Sequence, residues 1–324
     1  MREVFFSTPV LIYLFSETTL GLLLLVALGV LVRILWRWDF EAFTPEQFAL
    51  EQQAYLINTI AFFIFVMKFL LLLYFVFTVD ALALLIPGAM CGAGVITANG
   101  YGQVLLVLKL GILSLLMLWF YLNHYDLRTK NYQWFHEKSL LFMLIVLLIL
   151  GELWLDFHYF SAINTHQPVH CCSTLFGQLE GANPLPFGLS ITGLLVLFYL
   201  SFFLTLMTLW LEKMVLYLVS NILFLFLSYY GVVYFFGTYI YQLPTHKCPF
   251  CMLQSEYHYV GYLLWFSLFI GSFLGINGAI IHLWLGKPLG RTIRHWVMGL
   301  LSVFVLLCSA YVVGYYFLNG VWLG

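Results

Sequence analysis

The sequence predicts an all-α protein, a polytopic transmembrane helix bundle with about eight spanning helices. Hydrophobic residues make up 63% of the 324 residues, charged residues make up 8%, and the mean hydropathy is +0.99. A soluble globular domain carries about 25% charged residues, so that class is excluded. A spanning helix needs about 20 mostly apolar residues. Eight stretches meet this length: residues 9–35, 56–86, 103–123, 139–163, 187–211, 215–241, 257–284 and 296–320.

The lysine and arginine residues predict the orientation of these spans. Nine of the thirteen basic residues fall in connections on one side, whereas the opposite side has only Lys247 and, in the N-terminal tail, Arg2. Because basic connections stay in the cytoplasm, we expect both termini outside. The expected location is the inner (cytoplasmic) membrane of a bacterium. The nine residues are Arg33, Arg37, Arg128, Lys130, Lys138, Lys213, Lys287, Arg291 and Arg294.

A single integral membrane domain over residues 1–324 is the simplest organisation. Its sub-division would be a three-helix part at 1–138, a four-helix core at 139–284 and a last span at 285–324. Between the first two spans, Thr44 precedes Pro45 and Gln47 in the pattern of a helix start with a capping box. This pattern predicts a short surface helix that runs into the second span.

Cysteine gathers in three connections that lie on the same, outward side of the membrane. One cysteine follows the second span, two follow the fourth and two follow the sixth, while Cys308 lies inside the last span and is expected to be a packing residue. Cysteines scattered at random along apolar helices would not have this arrangement. It predicts thiol chemistry or metal binding at the periplasmic face, an oxidising compartment. The five residues are Cys91, Cys171, Cys172, Cys248 and Cys251.

The sharpest motif is Cys-Pro-Phe-Cys at residues 248–251. Two intervening residues at a helix start bring both sulfurs to one turn. The helix N-terminus and the neighbours His246 and Lys247 would favour a thiolate on Cys248. Such a pair suits redox thiol–disulfide exchange. A pair of metal ligands and a structural disulfide are the alternatives.

The adjacent residues Cys171 and Cys172 are poorly suited to bridging each other, because the eight-membered ring strains the peptide between them. One of them is therefore expected to pair with Cys248, Cys251 or Cys91. The alternative is that both are buried small residues without a chemical role. Cys91 lies in a glycine-rich turn that permits close backbone approach, and it is a candidate third cysteine site.

From the fourth to the seventh span, roughly residues 139–284, the chain resembles the four-helix core of the vitamin K epoxide reductase-like family. That family exchanges thiols with a quinone, and it has a loop cysteine after its first core helix and a CxxC motif at its fourth. Cys172 and the 248–251 motif stand in this order. The resemblance implies that Cys251 lies nearer the quinone and that Cys248 exchanges disulfides with the loop cysteine. Here the loop cysteines are adjacent, and the first three spans have no counterpart in that core.

Histidines on the same face supply a different interpretation of the cysteines. Thiolate and imidazole ligands together suit zinc or copper, and the spacing along the chain permits such a site without requiring it. For any single histidine, the alternative is an interfacial residue that water satisfies. The candidate ligands are His170, His246, His258, Cys248 and Cys251.

Charged residues inside the spans are expected to be paired or hydrated, because each would otherwise cost several kcal/mol. Glu152 and Asp156 are four residues apart and share one face of the fourth span. Lys109 and Glu152 lie at similar depth, on the order of 10 Å below the outer boundary, so they can pair. Such a pair would be either a proton relay or a structural ion pair. The other charged residues in spans are Glu17, Lys68 and Asp80.

Together these patterns predict an integral membrane thiol–disulfide oxidoreductase. Cys248 and Cys251 would be the redox centre, Cys171 or Cys172 would carry electrons from a periplasmic thiol protein, and a membrane quinone would accept them. One alternative is a membrane protein that binds copper or zinc through cysteine and histidine. Another is a non-catalytic subunit of a larger membrane complex. Membrane lipid is an expected partner because the spans are apolar. Nucleic acid is not expected, because the chain has no basic stripe.

Overall fold

The computed structural model describes residues 2–38, 44–129, 133–169, 185 and 188–323. Within these ranges the chain forms helices and turns and no strand. Eight of the described helices are long and apolar enough to cross a membrane, which confirms the all-α polytopic class. They are α1 Thr8–Arg37, α2 Pro45–Leu85, α3 Gly100–Asp126, α4 Phe135–Ser161, α5 Ile191–Trp210, α6 Met214–Tyr241, α7 Val260–Leu285 and α8 Arg291–Asn319.

Helix α2 begins well before its apolar stretch. The Thr44 hydroxyl accepts a hydrogen bond of 3.3 Å from the backbone N–H of Gln47, and Pro45 occupies the first helical turn, so the predicted helix start is confirmed. The expected surface helix is not a separate element. It continues into the membrane stretch, because residues 46–85 contain neither glycine nor proline to interrupt it.

The described residues pack into two compact units. Unit 1 comprises Met1–Pro87 and Val95–Gln167, and unit 2 comprises Gly88–Gly94 and Pro168–Gly324. Unit 1 therefore contains α1 to α4, and unit 2 contains α5 to α8. The boundaries of these units differ from the predicted sub-division at 138/139 and 284/285, and the single membrane domain stays a prediction.

In unit 1, α1 packs against α2 and α4, while α3 packs against α4 and α2. Aromatic side chains fill much of the space between them. The ring centroids of Phe65 and Trp119 are 5.0 Å apart in an edge-to-face arrangement, and those of Phe75 and Tyr13 are 5.5 Å apart in a tilted one. Edge-to-face pairs of this kind stabilise a packed interior beyond the area they bury.

In unit 2, α5 packs against α6, α6 against α7 and α7 against α8. Small residues on α7 allow the close approach, as is common between helices in membranes. Gly275 lies against Tyr217 of α6, and a Cβ atom at Gly275 would overlap the tyrosine hydroxyl and come within 3.0 Å of Asn221 Nδ2. Both of these neighbours are fully buried, so neither has open space to move into.

Helix α6 changes its winding before it ends. Its segment Val232–Phe236 is a π-helix, followed by a last α-helical turn, Gly237–Tyr241. A Cβ atom at Gly237 would come within 2.6 Å of the Val232 carbonyl oxygen, so the widened turn requires glycine here. Gln242, in the left-handed conformation with φ 54°, then ends the helix. Single π-helical turns frequently accompany functional sites.

We expect Gly275→Ala to destabilise the protein by about 1–3 kcal/mol, because it overpacks the contact between α6 and α7. The measurement is the apparent melting temperature of the purified protein in detergent. The matched control is Gly299→Ala on α8, where a Cβ atom would meet nothing within 4 Å. A Gly275→Ala protein that melts at the same temperature as the Gly299→Ala protein would contradict the described packing.

Candidate functional site

Three cysteines that lie far apart in the sequence meet in unit 2. The side chains of Cys91, Cys248 and Cys251 are 0%, 2% and 5% exposed. The Sγ atoms of Cys91 and Cys248 are 3.4 Å apart, and the three sulfurs lie within 4.8 Å of one another. A disulfide bond is about 2.05 Å long, so this contact joins sulfurs that are not bonded to each other. We call these residues the three-cysteine cluster.

Backbone contacts hold Cys91 in place. Gly88 has a φ of +81°, and a Cβ atom there would come within 2.5 Å of the Val169 carbonyl oxygen, so the turn before Cys91 requires glycine. Next to the cysteine, the Met90 carbonyl accepts a hydrogen bond of 3.2 Å from Gln254 Nε2. That contact ties the turn to the segment that follows Cys251.

Side chains from α6 and α7 hold the other two cysteines. The Tyr241 hydroxyl donates a hydrogen bond to the Cys248 carbonyl oxygen and accepts one of 3.1 Å from the Met252 N–H. Trp265 Nε1 of α7 donates to the Pro249 carbonyl oxygen at 3.1 Å. The 248–251 motif is therefore fixed from both sides by residues of the membrane-spanning helices.

The motif does not stand at the start of a long helix, so that expectation was wrong. Two short 3-10 turns follow Cys248, at Cys251–Leu253 and Ser255–Tyr257. His258 and Tyr259 then adopt left-handed conformations with φ 54° and 55°, which separate these turns from the start of α7. Consequently a helix N-terminus cannot be the reason for an acidic thiol at Cys248.

The acidic thiol of the cluster is instead Cys91. Hydrogen bonds from the thiols of Cys248 and Cys251 lower the pKa of Cys91 to about 3 against the opposing effect of burial, and the backbone N–H groups of Ala93 and Gly94 add to the lowering. A thiolate that accepts several hydrogen bonds is favoured over the neutral thiol. These contacts therefore favour a thiolate on Cys91.

The lysine beside the motif points elsewhere. The Lys247 ammonium lies 5.0 Å from the centre of the Tyr234 ring, a cation–π distance. Its charge is therefore directed at the π-helical segment of α6 and not, as expected from the sequence, at the sulfur of Cys248.

Of the candidate histidines, His246 lies two residues before Cys248, and the group of ligand atoms within 4.8 Å of one another contains the three sulfurs without it. Its Nε2 atom is buried and has no hydrogen-bond partner among the described residues, and its ring lies 4.2 Å from that of Tyr241. Burial lowers the pKa of His246, although the charge of Cys91 opposes this. His258 is exposed. The residue that joins Cys248 and Cys251 in the cluster is Cys91, which was not among the predicted metal ligands. The candidates His170, Cys171 and Cys172 lie outside the described residues.

A second buried cluster lies in unit 1 and contains the ion pair that the sequence allows between Lys109 and Glu152. Lys109 Nζ is 2.6 Å from Glu152 Oε1 and 3.0 Å from Asp156 Oδ2. Lys68 joins them at 2.8 Å from Glu152 Oε2, and it also pairs with Glu17 at 2.7 Å. We call these five residues the charge cluster. The functional role of these side chains stays a prediction.

Sequence reasoning missed Tyr13, whose hydroxyl lies between Lys109 Nζ at 2.5 Å and Asp156 Oδ2 at 3.0 Å. The available signal was its spacing from Glu17. Residues four apart share a helix face, so a tyrosine one turn from a membrane-embedded glutamate is a ready hydrogen-bond partner.

The rate at which a small membrane-permeant alkylating reagent modifies Cys91 should change little between weakly acidic and weakly alkaline pH. The reason is that a thiol with a strongly lowered pKa is already ionised over this range. An ordinary cysteine, with a pKa of about 8.5, reacts about tenfold faster for each added pH unit until it approaches that value. The measurement is mass spectrometry of the Cys91 peptide from reduced protein in lipid.

Cys248→Ala removes the hydrogen bond that lowers the pKa of Cys91 most, and it should restore a rate that rises with pH. Cys308→Ala, which changes a buried cysteine of α8, should leave the flat profile unchanged. A wild-type profile as steep as that of an ordinary thiol would contradict the assignment of the thiolate.

Comparison with protein-family models found no match, and comparison with the curated proteins and with the solved structures likewise found none. The resemblance to the vitamin K epoxide reductase-like family therefore stays a prediction from the sequence.

Proposed function

We propose that unit 2 carries the catalytic centre of an integral membrane thiol–disulfide oxidoreductase. The observation that supports this most directly is the distance of 3.4 Å between the sulfurs of Cys91 and Cys248. Reacting atoms held about 3–3.5 Å apart are in a near-attack arrangement. The charge distribution agrees, because the sulfur that faces Cys248 belongs to Cys91, whose pKa is lowered to about 3.

The proposed exchange step begins from a disulfide between Cys248 and Cys251. The Cys91 thiolate attacks the Cys248 sulfur, so that a Cys91–Cys248 bond forms and the Cys248–Cys251 bond breaks. Cys251 leaves as a thiolate and takes up a proton. The step exchanges one disulfide for another and needs no outside oxidant.

A quinone dissolved in the bilayer is the proposed electron acceptor. When Cys248 and Cys251 are both thiols, their conversion to a disulfide releases two electrons and two protons, which reduce one quinone to a quinol. The family resemblance supports this acceptor and assigns the position nearer the quinone to Cys251.

Electrons would reach the centre from a thiol protein through a loop cysteine. The three sulfurs are almost fully buried, which favours a separate shuttle residue over direct contact with a protein substrate. Cys171 or Cys172 is the candidate for this role. The distribution of basic residues favours the outer face of a bacterial inner membrane as the location.

The test is to reduce the full-length protein in lipid, remove the reductant, add a soluble quinone and count free thiols with a mass-tagging alkylator. We expect quinone to remove two thiols from the three-cysteine cluster as a disulfide that mass spectrometry can map. Cys251→Ser should lose this quinone-dependent oxidation, because it removes the thiol assigned to the quinone. Cys91→Ser should retain it, since the Cys248–Cys251 pair remains.

Cys308→Ser is the matched control, because that buried cysteine lies outside the cluster, and it should behave as wild type. If all three thiols of the cluster stay reduced in the presence of quinone, or oxidise at the same rate without it, the quinone-linked function is wrong.

The buried Nε2 atom of His246 favours a second candidate function, a copper- or zinc-binding membrane protein. A tetrahedral zinc ion with Zn–S bonds of about 2.3 Å holds its sulfurs about 3.8 Å apart, which is close to the spacing in the three-cysteine cluster. Three thiolates and one imidazole are also a common ligand set for structural zinc. Of the five ligands proposed from the sequence, this site would use Cys248 and Cys251, with Cys91 added, and His246, which lies outside the group of three sulfurs, would have to turn toward them to be the fourth ligand.

For this candidate, the purified protein should hold one equivalent of metal, and its thiols should resist alkylation until a chelator is added. His246→Ala should weaken metal binding at least about tenfold, whereas His258→Ala, at an exposed position of the same connection, should not. Thiols that react equally with and without chelator would exclude the metal function. Failure of both the quinone and the metal experiments would leave the non-catalytic subunit.

A further inference from the structure

The charge cluster of unit 1 uses every hydrogen that its lysines can donate. Lys68 Nζ donates to Glu17 Oε1 at 2.9 Å, to Glu17 Oε2 at 2.7 Å and to Glu152 Oε2 at 2.8 Å. Lys109 Nζ donates to Tyr13 Oη at 2.5 Å, to Glu152 Oε1 at 2.6 Å and to Asp156 Oδ2 at 3.0 Å. An ammonium group has three hydrogens, so both lysines are fully engaged.

The remaining donor is the hydroxyl of Tyr13. It lies 3.2 Å from Glu17 Oε1 and 3.0 Å from Asp156 Oδ2, and its one hydrogen can serve either of them. These contacts account for all but one of the carboxylate oxygens in the cluster. Asp156 Oδ1 is buried and has no hydrogen-bond partner among the described residues, and the Asp156 side chain is 0% exposed.

The count of charges shows the same shortfall. Three carboxylates face two ammonium groups, so full ionisation would leave one negative charge in excess among the spanning helices. The least compensated carboxylate is Asp156, because it contacts one lysine through one oxygen while Glu152 contacts both lysines. An uncompensated charge inside a membrane is normally avoided by protonation.

A proton fits this site better than a metal ion does. Oxygen atoms of Glu17, Glu152 and Asp156 lie within 4.8 Å of one another, but the ammonium groups of Lys68 and Lys109 already occupy the positions between them. A metal cation would be repelled by both ammonium groups, whereas a proton needs no added space and removes the excess charge.

We propose that the charge cluster binds and releases one proton within the membrane-spanning part of unit 1, and that Asp156 carries it. This inference is independent of the thiol function proposed for unit 2. A small cavity lined by Lys68, Lys109 and Glu152 adjoins the cluster, with about 10 Å³ open to the centre of a water molecule. That space admits about one water beside Glu152 and the two lysines, and Asp156 itself is not among the residues that line it.

The other groups that face Asp156 do not supply the missing partner. On α4 itself, Tyr159 donates its hydroxyl hydrogen to the Val95 carbonyl oxygen at 3.0 Å. The titratable groups that α1, α2 and α3 present to the cluster are Tyr13, Glu17, Lys68 and Lys109, whose donors are all accounted for above.

The test is infrared difference spectroscopy of the full-length protein in lipid, recorded as pH is changed from mildly acidic to mildly alkaline. We expect the C=O stretching band of a protonated carboxylic acid to disappear with rising pH and to shift when water is replaced by D₂O. In Asp156→Asn this band should be lost. Asp126→Asn is the matched control, because Asp126 is equally buried but both of its oxygens have donors, in Lys138 at 2.6 Å and the Trp134 N–H at 3.1 Å.

Two further variants keep the proposal testable if Asp156→Asn does not fold. Glu152→Gln leaves two carboxylates against two ammonium groups, so the band should again be lost. Lys68→Met leaves three carboxylates against one ammonium group, so the band should increase to about twice its wild-type intensity, in proportion to two protonated carboxyls.

The proposal fails if the wild-type protein lacks the band, if the band neither shifts in D₂O nor responds to pH, or if Asp156→Asn and Glu152→Gln both retain it. Loss of the band in Asp126→Asn alone would assign the proton to the other buried carboxyl and would also overturn the proposal.

Discussion

Unit 1 depends on two lysine ammonium groups that are buried among its helices, at Lys68 and Lys109. Lys68 of α2 and Lys109 of α3 each donate three hydrogen bonds, and all of the acceptors lie on α1 and α4. Polar groups in the hydrocarbon region must be satisfied within the protein, so the helices have to bring their carboxylates to these two points. Glu152 is the common member, because it contacts both lysines. The ion pairs therefore set the register of the helices against one another.

Unit 2 holds its polar groups in a different way. Its three buried cysteines lie in the connections between the spans, where hydrogen bonds from Tyr241 and Trp265 fix the backbone of the 248–251 motif. Three sulfurs cannot all pair with one another, so any single bond within the cluster leaves one sulfur adjacent to it. Under the proposed exchange, this arrangement would keep a thiol next to the disulfide that it attacks. A closed structural disulfide would have needed only two of the three cysteines.

The spans could be predicted from the sequence because bilayer thickness sets the length of an apolar helix. The start of α2 could also be predicted, because Thr44 caps the helix through local contacts. The grouping of Cys91 with the 248–251 motif followed only in outline, since turns on one face of a membrane need not touch. The site of the thiolate could not be predicted, because it depends on hydrogen bonds between residues 157 positions apart. The left-handed conformations of His258 and Tyr259 before α7 were missed because neither residue is glycine, the residue type that most clearly signals such a conformation.

Depth in the membrane could be inferred for the charged residues, but their direction around each helix could not. Lys109 and Glu152 were matched because their depths agreed, whereas Lys68 and Glu17 needed the packing of α1 against α2 to be known. Tyr13 carries no charge and lies in an apolar stretch rich in aromatic residues. Its role emerges only from the contacts of its hydroxyl with Lys109 and Asp156.

The grouping of Gly88–Gly94 with unit 2 constrains how the two units can be exchanged or inherited. The chain enters and leaves unit 2 for these seven residues and returns to it after Gln167. A recombination event at a single junction near residue 167 would therefore move α5 to α8 without Cys91. To transplant the complete three-cysteine cluster, a new protein must also receive a short insertion between two helices of a different unit, so the units are not independent cassettes.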